Sequence, residues 1–141
     1  MTLVNFYTLS AKEDGARLQF ACRLTEKARS LGHDVFILTD SPAQAKILDD
    51  MLWQFKAISF IPHALADGHT ESTEAVIIGP ELPDKNNDDV IINLSGRVCE
   101  AHQRFARINE ILTADDDSLV QGRKHYRYYQ AKGYRLETHK L

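Results

Sequence analysis

The stretch DVFILTDSPAQAKILDDML, residues 34–52, decides the fold class of this chain. Its first six residues are almost all apolar, which is typical of a strand buried on both faces of a sheet. The tetrapeptide SPAQ at 41–44 then supplies a capping serine, a proline for the first helical position and a capping-box glutamine. Ala45, Leu48 and Leu52 follow on one helical face. The stretch therefore predicts a buried strand that leads into an amphipathic helix.

The same order of elements occurs upstream. Residues 3–9 (LVNFYTL) mix β-branched and aromatic side chains and predict a strand. Residues 17–31 carry apolar side chains at helical spacing, and Gly32 is placed to end that helix. Strand, helix, strand and helix in succession favour parallel strands joined by helical crossovers. The expected fold class is α/β: a three-layer α/β/α single domain with a mostly parallel, mixed sheet and a nucleotide-binding-like topology without a phosphate loop.

The second half of the chain is less regular. Residues 74–79 (EAVIIG) and 89–94 (DVIINL) predict two further strands. Residues 107–112 (RINEIL) alternate polar and apolar side chains and predict an edge strand, preceded by a short helix over 98–105. The order of strands at the sheet edges stays open.

A final helix is predicted from the signals at its two ends. Ser118 and Gln121 form a capping box, directly after three aspartates that suit the positive end of a helix dipole. Lys132 and Gly133 supply a cation and a C′ residue at the other end.

The C-terminal segment, residues 121–141, is basic in an otherwise acidic chain. It holds six lysines and arginines against one carboxylate, a formal charge of +5, whereas the whole chain carries −3. Arg123, Tyr126, Arg127 and Gln130 share one helical face, so two guanidinium groups flank a tyrosine ring. Such a face can bind a carboxylate beside an apolar group. The alternative is a solvated charged face with its tyrosines turned to the core.

Aromatic residues near the end of the second helix form another patch. Trp53 directly follows a core-facing leucine, and Phe60 lies in the segment SFIPH. Aromatic side chains on a helix end and a loop are typical anchors of protein interfaces. We interpret Trp53 as part of a partner interface, and the interface and core interpretations of Phe60 are equally open.

Two other function classes fit parts of the sequence. The basic tyrosine face could bind single-stranded nucleic acid directly by base stacking, although the acidic remainder of the chain argues against it. A small hydrolase could use His63, Asp67 and His69 as an acid–base group. The chain has neither a GxxxxGK[ST] nor a GxGxxG loop, and no histidine forms HExxH or pairs with a cysteine at metal-ligand spacing. We therefore expect no cofactor, no metal and no catalytic residues.

Composition sets the remaining expectations. With 141 residues, 43% of them hydrophobic, the chain has the size of one globular domain. Cys22 and Cys99 are far apart and form no CxxC pair, and the N-terminus has no signal-peptide pattern. A cytoplasmic protein with reduced thiols and no membrane anchor is expected.

Three motifs together resemble the chi subunit of bacterial DNA polymerase III. They are NFYTL at 5–9, LDxxLWxF at 48–55 followed by SFIPH at 59–63, and R..YR.Y...GY at 123–134. The likeness covers essentially the whole chain and is looser between residues 64 and 87.

The resemblance implies a non-catalytic clamp-loader subunit with two protein partners. The acidic C-terminal tail of single-stranded-DNA-binding protein would bind at Arg123, Tyr126 and Arg127. The psi subunit, or a helicase-like protein at the same surface, would bind at Trp53 and Phe60. The family's lysine near the start of the last helix has no counterpart, because Val120 occupies that position.

Overall fold

The computed structural model describes residues 2–54, 63–65, 76–82, 89–99 and 104–141, and these residues contain seven strands and three helices. Along the chain they are β1 (Leu3–Thr8), α1 (Asp14–Ser30), β2 (Val35–Leu38), α2 (Pro42–Gln54), β3 (His63–Leu65), β4 (Val76–Gly79), β5 (Val90–Asn93), β6 (Arg107–Leu112), α3 (Asp116–Ala131) and β7 (Arg135–Lys140). Within these described ranges, no helix combines the length and the apolar character needed to cross a membrane.

One sheet joins all seven strands in the order β3-β4-β2-β5-β6-β1-β7, and every pairing among them is parallel. Val35 and Ile37 of β2 pack in the core beneath α1 and α2. Phe36 and Leu38 alternate with them and join the core on the opposite face, to which α3 contributes Tyr129. The predicted three-layer α/β/α class is therefore confirmed. The antiparallel pairing that a mixed sheet implies is not found among the described strands.

The prediction of β6 as an edge strand is wrong, because β6 lies between β5 and β1 in the middle of the sheet. The polar residues that suggested a solvent-facing side are buried and hydrogen-bonded. Asn109 accepts a hydrogen bond from Asn5 at 3.3 Å and donates one to the carbonyl of Ile91 at 3.2 Å. Glu110 is also buried, with partners on α3 and, through Asn93, on β5. Alternation of polar and apolar residues here reflects two different buried faces.

The last strand, β7, was not predicted. It pairs in parallel with β1, from Leu3 opposite Arg135 to Thr8 opposite Lys140. Only one side of β7 is paired with a neighbouring described strand. All its side chains are at least partly exposed, and its sequence has no apolar run that would have indicated a strand. The predicted helix over 98–105 is not found at Val98 and Cys99, which are irregular; residues 100–103 lie outside the described part of the chain.

The predicted helix ends are largely confirmed. Gly32 and Gly133 follow α1 and α3 with φ of 82° and 83°, a conformation that glycine adopts without strain. At the start of α2, Ser41 Oγ accepts a hydrogen bond from the backbone N–H of Gln44 at 3.1 Å. The glutamine side chain returns to the N–H of Asp40 at 2.8 Å, one residue before the expected capping-box partner.

Candidate functional site

Helix α3 begins three residues earlier than the sequence signals indicated. Asp115 is its N-cap and accepts a hydrogen bond from the backbone N–H of Ser118 at 3.2 Å, while Ser118 Oγ accepts one from the N–H of Thr113 at 3.0 Å. The predicted Ser118–Gln121 capping box is therefore wrong, because an aspartate is an equally good cap and stands earlier in the chain. The hydrogen bond from the Thr113 hydroxyl, followed by that from Ser118, holds the pKa of Asp115 below its usual value. Gln121 instead donates to the carbonyl of Gly96 at 2.8 Å.

A buried polar group, which we call the Glu110 cluster, fixes α3 to the sheet. Glu110 of β6 is 3% exposed, and its Oε1 lies 2.8 Å from Nδ1 of His125. Its Oε2 accepts hydrogen bonds from the Tyr129 hydroxyl at 3.0 Å and from Asn93 Nδ2 at 2.8 Å. The Tyr129 oxygen also accepts a bond from the backbone N–H of Cys99 at 2.8 Å. These five residues join α3 to β5, β6 and the segment after β5.

Electrostatics within the Glu110 cluster favour a charged pair. Burial lowers the pKa of His125, but the hydrogen bond and the charge of Glu110 raise it by more, so the pKa lies above its ordinary value. Burial and then the charge of Glu110 raise the pKa of the Tyr129 hydroxyl, which therefore stays protonated and donates. Sequence reasoning missed this cluster, since Glu110 and His125 stand 15 positions apart and match no motif.

Close approach of α3 to β6 depends on Gly122. A Cβ added there would overlap Cδ1 of Leu112, so a larger residue would require the Leu112 side chain or the helix to shift. Together with the Glu110 cluster, this contact determines which face of α3 is turned to solvent.

The exposed side of α3 carries the predicted binding residues. Arg123 and Arg127 are exposed, and Tyr126 between them is half-buried, with its ring centroid 5.4 Å from that of Phe6. Among the described residues, neither guanidinium group has a hydrogen bond or an ion pair. The alternative, with tyrosines turned to the core, holds for Tyr129, which is fully buried. Two exposed cations beside a half-buried ring can bind a carboxylate, and the ring can pack against an apolar side chain.

Strand β7 adds positive charge next to this face. Leu136 and Tyr134 pack in the same core cluster as Tyr126, while Arg135 and Lys140 are exposed. Arg135 pairs with Glu137 at 3.1 Å, an exposed contact that leaves the segment strongly positive. The candidate face therefore lies at the β7 edge of the sheet.

The predicted partner interface lies mostly outside the described residues. Phe60 is among the residues not described, and so are Asp67 and His69 of the hydrolase alternative. Trp53 belongs to the last turn of α2, and His63 opens β3, but their side chains are outside the described part. Helix α2 packs on β3 and β4, at the opposite edge of the sheet from β7.

The described residues contain no group of three or more histidine, cysteine, aspartate or glutamate side chains placed to hold a metal ion. Cys22 and Cys99 are buried free thiols, and burial raises the pKa of Cys22 to about 11.

Comparison with known proteins gives one consistent result. A family model described as DNA polymerase III chi subunit, HolC, matches residues 1–137. A protein from Pseudomonas aeruginosa named DNA polymerase III subunit chi is 36% identical over 141 residues, covering 100% of this chain and 98% of the relative. Proteins of the same name from Haemophilus influenzae and Escherichia coli are 29% and 26% identical, over 94% and 85% of this chain and 93% and 82% of their own lengths. The chain therefore belongs to the DNA polymerase III chi subunit family.

Proposed function

We propose that this chain is a replication accessory subunit that links DNA polymerase III to single-stranded-DNA-binding protein. In this proposal the acidic C-terminal tail of that protein binds Arg123, Tyr126 and Arg127, and the psi subunit binds the surface around Trp53 and Phe60. Family membership supports the accessory role in the polymerase. The assignment of partners follows from the resemblance to the chi family, and for the tail it is also supported by the exposed arginines and the tyrosine of α3.

The observation that carries the tail assignment is the pair of exposed guanidinium groups beside Tyr126, neither of which has a partner within the described ranges. A peptide that ends in aspartates, proline and phenylalanine offers a terminal carboxylate, further negative charge and one ring. Arg123 and Arg127 can each donate two parallel hydrogen bonds to a carboxylate. The ring of Tyr126, supported from below by Phe6, gives the terminal phenylalanine a surface to pack against.

The charge distribution favours binding of such a peptide on one side of the molecule. The segment 121–141 carries +5 in a chain of net −3, so the rest of the molecule is strongly negative. An acidic tail is attracted to the α3 and β7 side and repelled elsewhere. Because the cations are exposed, the attraction weakens as salt shortens the screening length.

The test is fluorescence anisotropy of a labelled acidic nonapeptide that ends in aspartates, proline and phenylalanine, titrated with the full chain at low and high salt. Arg127→Glu removes one donor fork and adds a repulsive charge, and a charge-assisted bond is worth about 1.5–3 kcal/mol, so affinity should fall at least about tenfold. Lys46→Glu makes the same charge change at an exposed position on α2 and serves as the matched control. Circular dichroism checks that both variants are folded.

Equal affinity of wild type and Arg127→Glu would refute this site. A fall of the same size in Lys46→Glu would show that net charge, and not the α3 face, governs binding.

A second titration, with a short single-stranded oligonucleotide, distinguishes the adaptor function from direct binding of nucleic acid. An unlabelled oligonucleotide should bind weakly if the chain is an adaptor, because negative charge dominates outside the C-terminal segment. Tight binding that declines steeply with salt would instead favour base stacking on the tyrosines.

A further inference from the structure

Strand β7 leaves an open edge of the sheet beside the exposed side of α3 that carries Arg123, Tyr126 and Arg127, which we call the Arg123 face. Among the described strands, β7 is paired only with β1. Directly after β7, the N–H of Leu141 donates to the carbonyl of Thr8 at 2.9 Å. Because the direction of the backbone groups alternates along a strand, the odd-numbered residues of β7 also turn these groups toward β1. The backbone N–H and C=O groups that point away from the sheet belong to Leu136, Thr138 and Lys140.

These outward-pointing groups lie close to the Arg123 face. Leu136 packs in the same core cluster as Tyr126, and Thr138 and Lys140 alternate onto the same side of the sheet. The Tyr126 ring lies against that of Phe6 with centroids 5.4 Å apart, and Thr138 is the residue opposite Phe6 on β7. The open edge is therefore only about 4.8 Å, one strand spacing, beyond the residue beneath Tyr126.

The charge of this edge selects the kind of strand that can pair with it. The six residues of β7, RLETHK, include two cations and one carboxylate. Lys140 is exposed and has no hydrogen bond or ion pair within the described residues. Cations on an edge strand disfavour pairing with a second copy of the same strand, because like charges repel each other there. The same cations attract an extended segment rich in carboxylates.

The length of the acidic peptide also calls for a second contact surface. Arg123 and Arg127 are about 6 Å apart along the axis of α3, whereas an extended nonapeptide spans about 30 Å. Most of the peptide therefore lies beyond the two arginines. The neighbouring edge of β7, six residues long, extends for about 20 Å.

We propose that the residues before the terminal phenylalanine of the acidic peptide add to β7 as a further strand of the sheet. Their backbone exchanges hydrogen bonds with Leu136, Thr138 and Lys140, while the cations of β7 favour an acidic sequence. A proline in the peptide is compatible with this position, because the outer side of an added strand faces solvent and needs no N–H. This inference rests on the proposed function and adds to it the main-chain contacts that hold the peptide.

The first test compares labelled nonapeptides by fluorescence anisotropy with the full chain. Two of them carry two N-methyl groups each, at alternate positions before the proline, so that in an added strand one set faces β7 and the other faces solvent. The peptide methylated toward β7 loses two hydrogen bonds and should bind at least about fivefold more weakly than the unmodified peptide. Its counterpart should bind within about twofold of the unmodified peptide. Equal affinities of the two methylated peptides would overturn the proposal.

Hydrogen exchange of the ¹⁵N-labelled full chain, followed by nuclear magnetic resonance, gives a second readout. With saturating peptide, the amides of Leu136, Thr138 and Lys140 should exchange at least about fivefold more slowly, whereas the amide of His139 is already bonded to β1 in the free chain. Unchanged exchange at the three outward amides would contradict the proposal. Protection of these amides in the free chain that grows with protein concentration would identify a second copy of the chain as the occupant, and would also overturn it.

A pair of variants at Thr138 tests the same edge from the side of the protein. Thr138→Pro removes one outward N–H, a change that an edge strand tolerates, and should weaken peptide binding about threefold or more. Thr138→Ala keeps the N–H and should bind the peptide like the wild type. Circular dichroism checks that both variants are folded. Equal affinities of the two variants would count against strand addition.

Failure of the proposed function is distinguishable from failure of this inference. If the unmodified peptide does not bind the wild type, the proposed function fails and strand addition fails with it. Binding that is lost in Arg127→Glu but is equal for both methylated peptides retains the proposed function and overturns only the strand addition.

Discussion

At the scale of single residues, Glu110 is held by partners on three sides. Its carboxylate is buried beneath α3 and accepts hydrogen bonds from Tyr129 and Asn93 while it faces His125. A buried charge is tolerated only when it is paired and hydrogen-bonded, and here both conditions are met. The cluster is therefore a source of stability that depends on the protonation of one imidazole.

The first prediction concerns pH. Because the pKa of His125 in the folded chain is raised above its ordinary value of 6.5, the pair stabilises the fold fully below about pH 6.5 and less as pH rises through the folded pKa. The free energy of unfolding of the wild type should thus decline as pH rises above about 6.5 and through the folded pKa of His125. Glu110→Gln should flatten this dependence and cost about 1–3 kcal/mol at pH 6. Urea denaturation at a series of pH values measures both effects.

A control for this prediction is His125→Gln, which should show the same flat profile because it removes the titrating group itself. An undiminished slope in either variant would mean that other groups cause the pH dependence.

At the scale of elements, α3 shows which parts of the site are readable from sequence. The common face of Arg123, Tyr126 and Arg127 follows from helical spacing alone, and Gly133 marks the end of the helix. The predicted start of α3 was wrong because the adjacent aspartates and Ser118 are all good N-cap residues. Their local preferences are too similar to show which one caps the helix. The contacts that hold the helix down involve β6 and the segment after β5, so no local pattern announces them.

The second prediction tests the contacts that hold α3 against β6 and the segment after β5. The Tyr129 hydroxyl bonds to both Glu110 and the backbone N–H of Cys99, so Tyr129→Phe leaves a buried donor and a buried carboxylate each short of one partner. Such losses cost about 1–3 kcal/mol in the free energy of unfolding. Tyr126→Phe is the matched control, because the Tyr126 hydroxyl has no hydrogen bond within the described residues and its removal should cost less than about 0.5 kcal/mol. Urea denaturation measures the stability of both variants. Equal stabilities would contradict the stabilising role given to the hydrogen bonds of Tyr129.

At the scale of the whole molecule, the sequence identified the layers but not the order of strands. Apolar runs such as those of β2, β4 and β5 are local signals of strands buried on both faces, and the structure confirms them. Which strand lies beside which depends on contacts between distant segments, and this is why β6 was wrongly placed at an edge. β7 was missed because its pairing with β1 stabilises a sequence of weak strand character.

The strand order leads to the last prediction, that both proposed partners bind at once. Trp53 lies in the last turn of α2, which packs on β3 and β4, whereas the Arg123 face borders β7. β3 and β7 are the two outer strands of the seven, so six intervals of about 4.8 Å, about 29 Å in all, separate the two edges. Because α2 and α3 also cover opposite faces of the sheet, the contacts that anchor a short acidic peptide on α3 lie apart from a partner seated on α2.

The measurement is anisotropy of the labelled acidic peptide with the free chain and with the chain saturated by psi subunit. The Kd of the peptide should change less than about twofold, because no contact or strong charge interaction spans that distance at physiological salt. Trp53→Ala should abolish co-elution with psi in size-exclusion chromatography and leave peptide binding intact. Release of the peptide on addition of psi would mean that the partners compete for one surface, and the chain could not then bridge the polymerase to coated single strands.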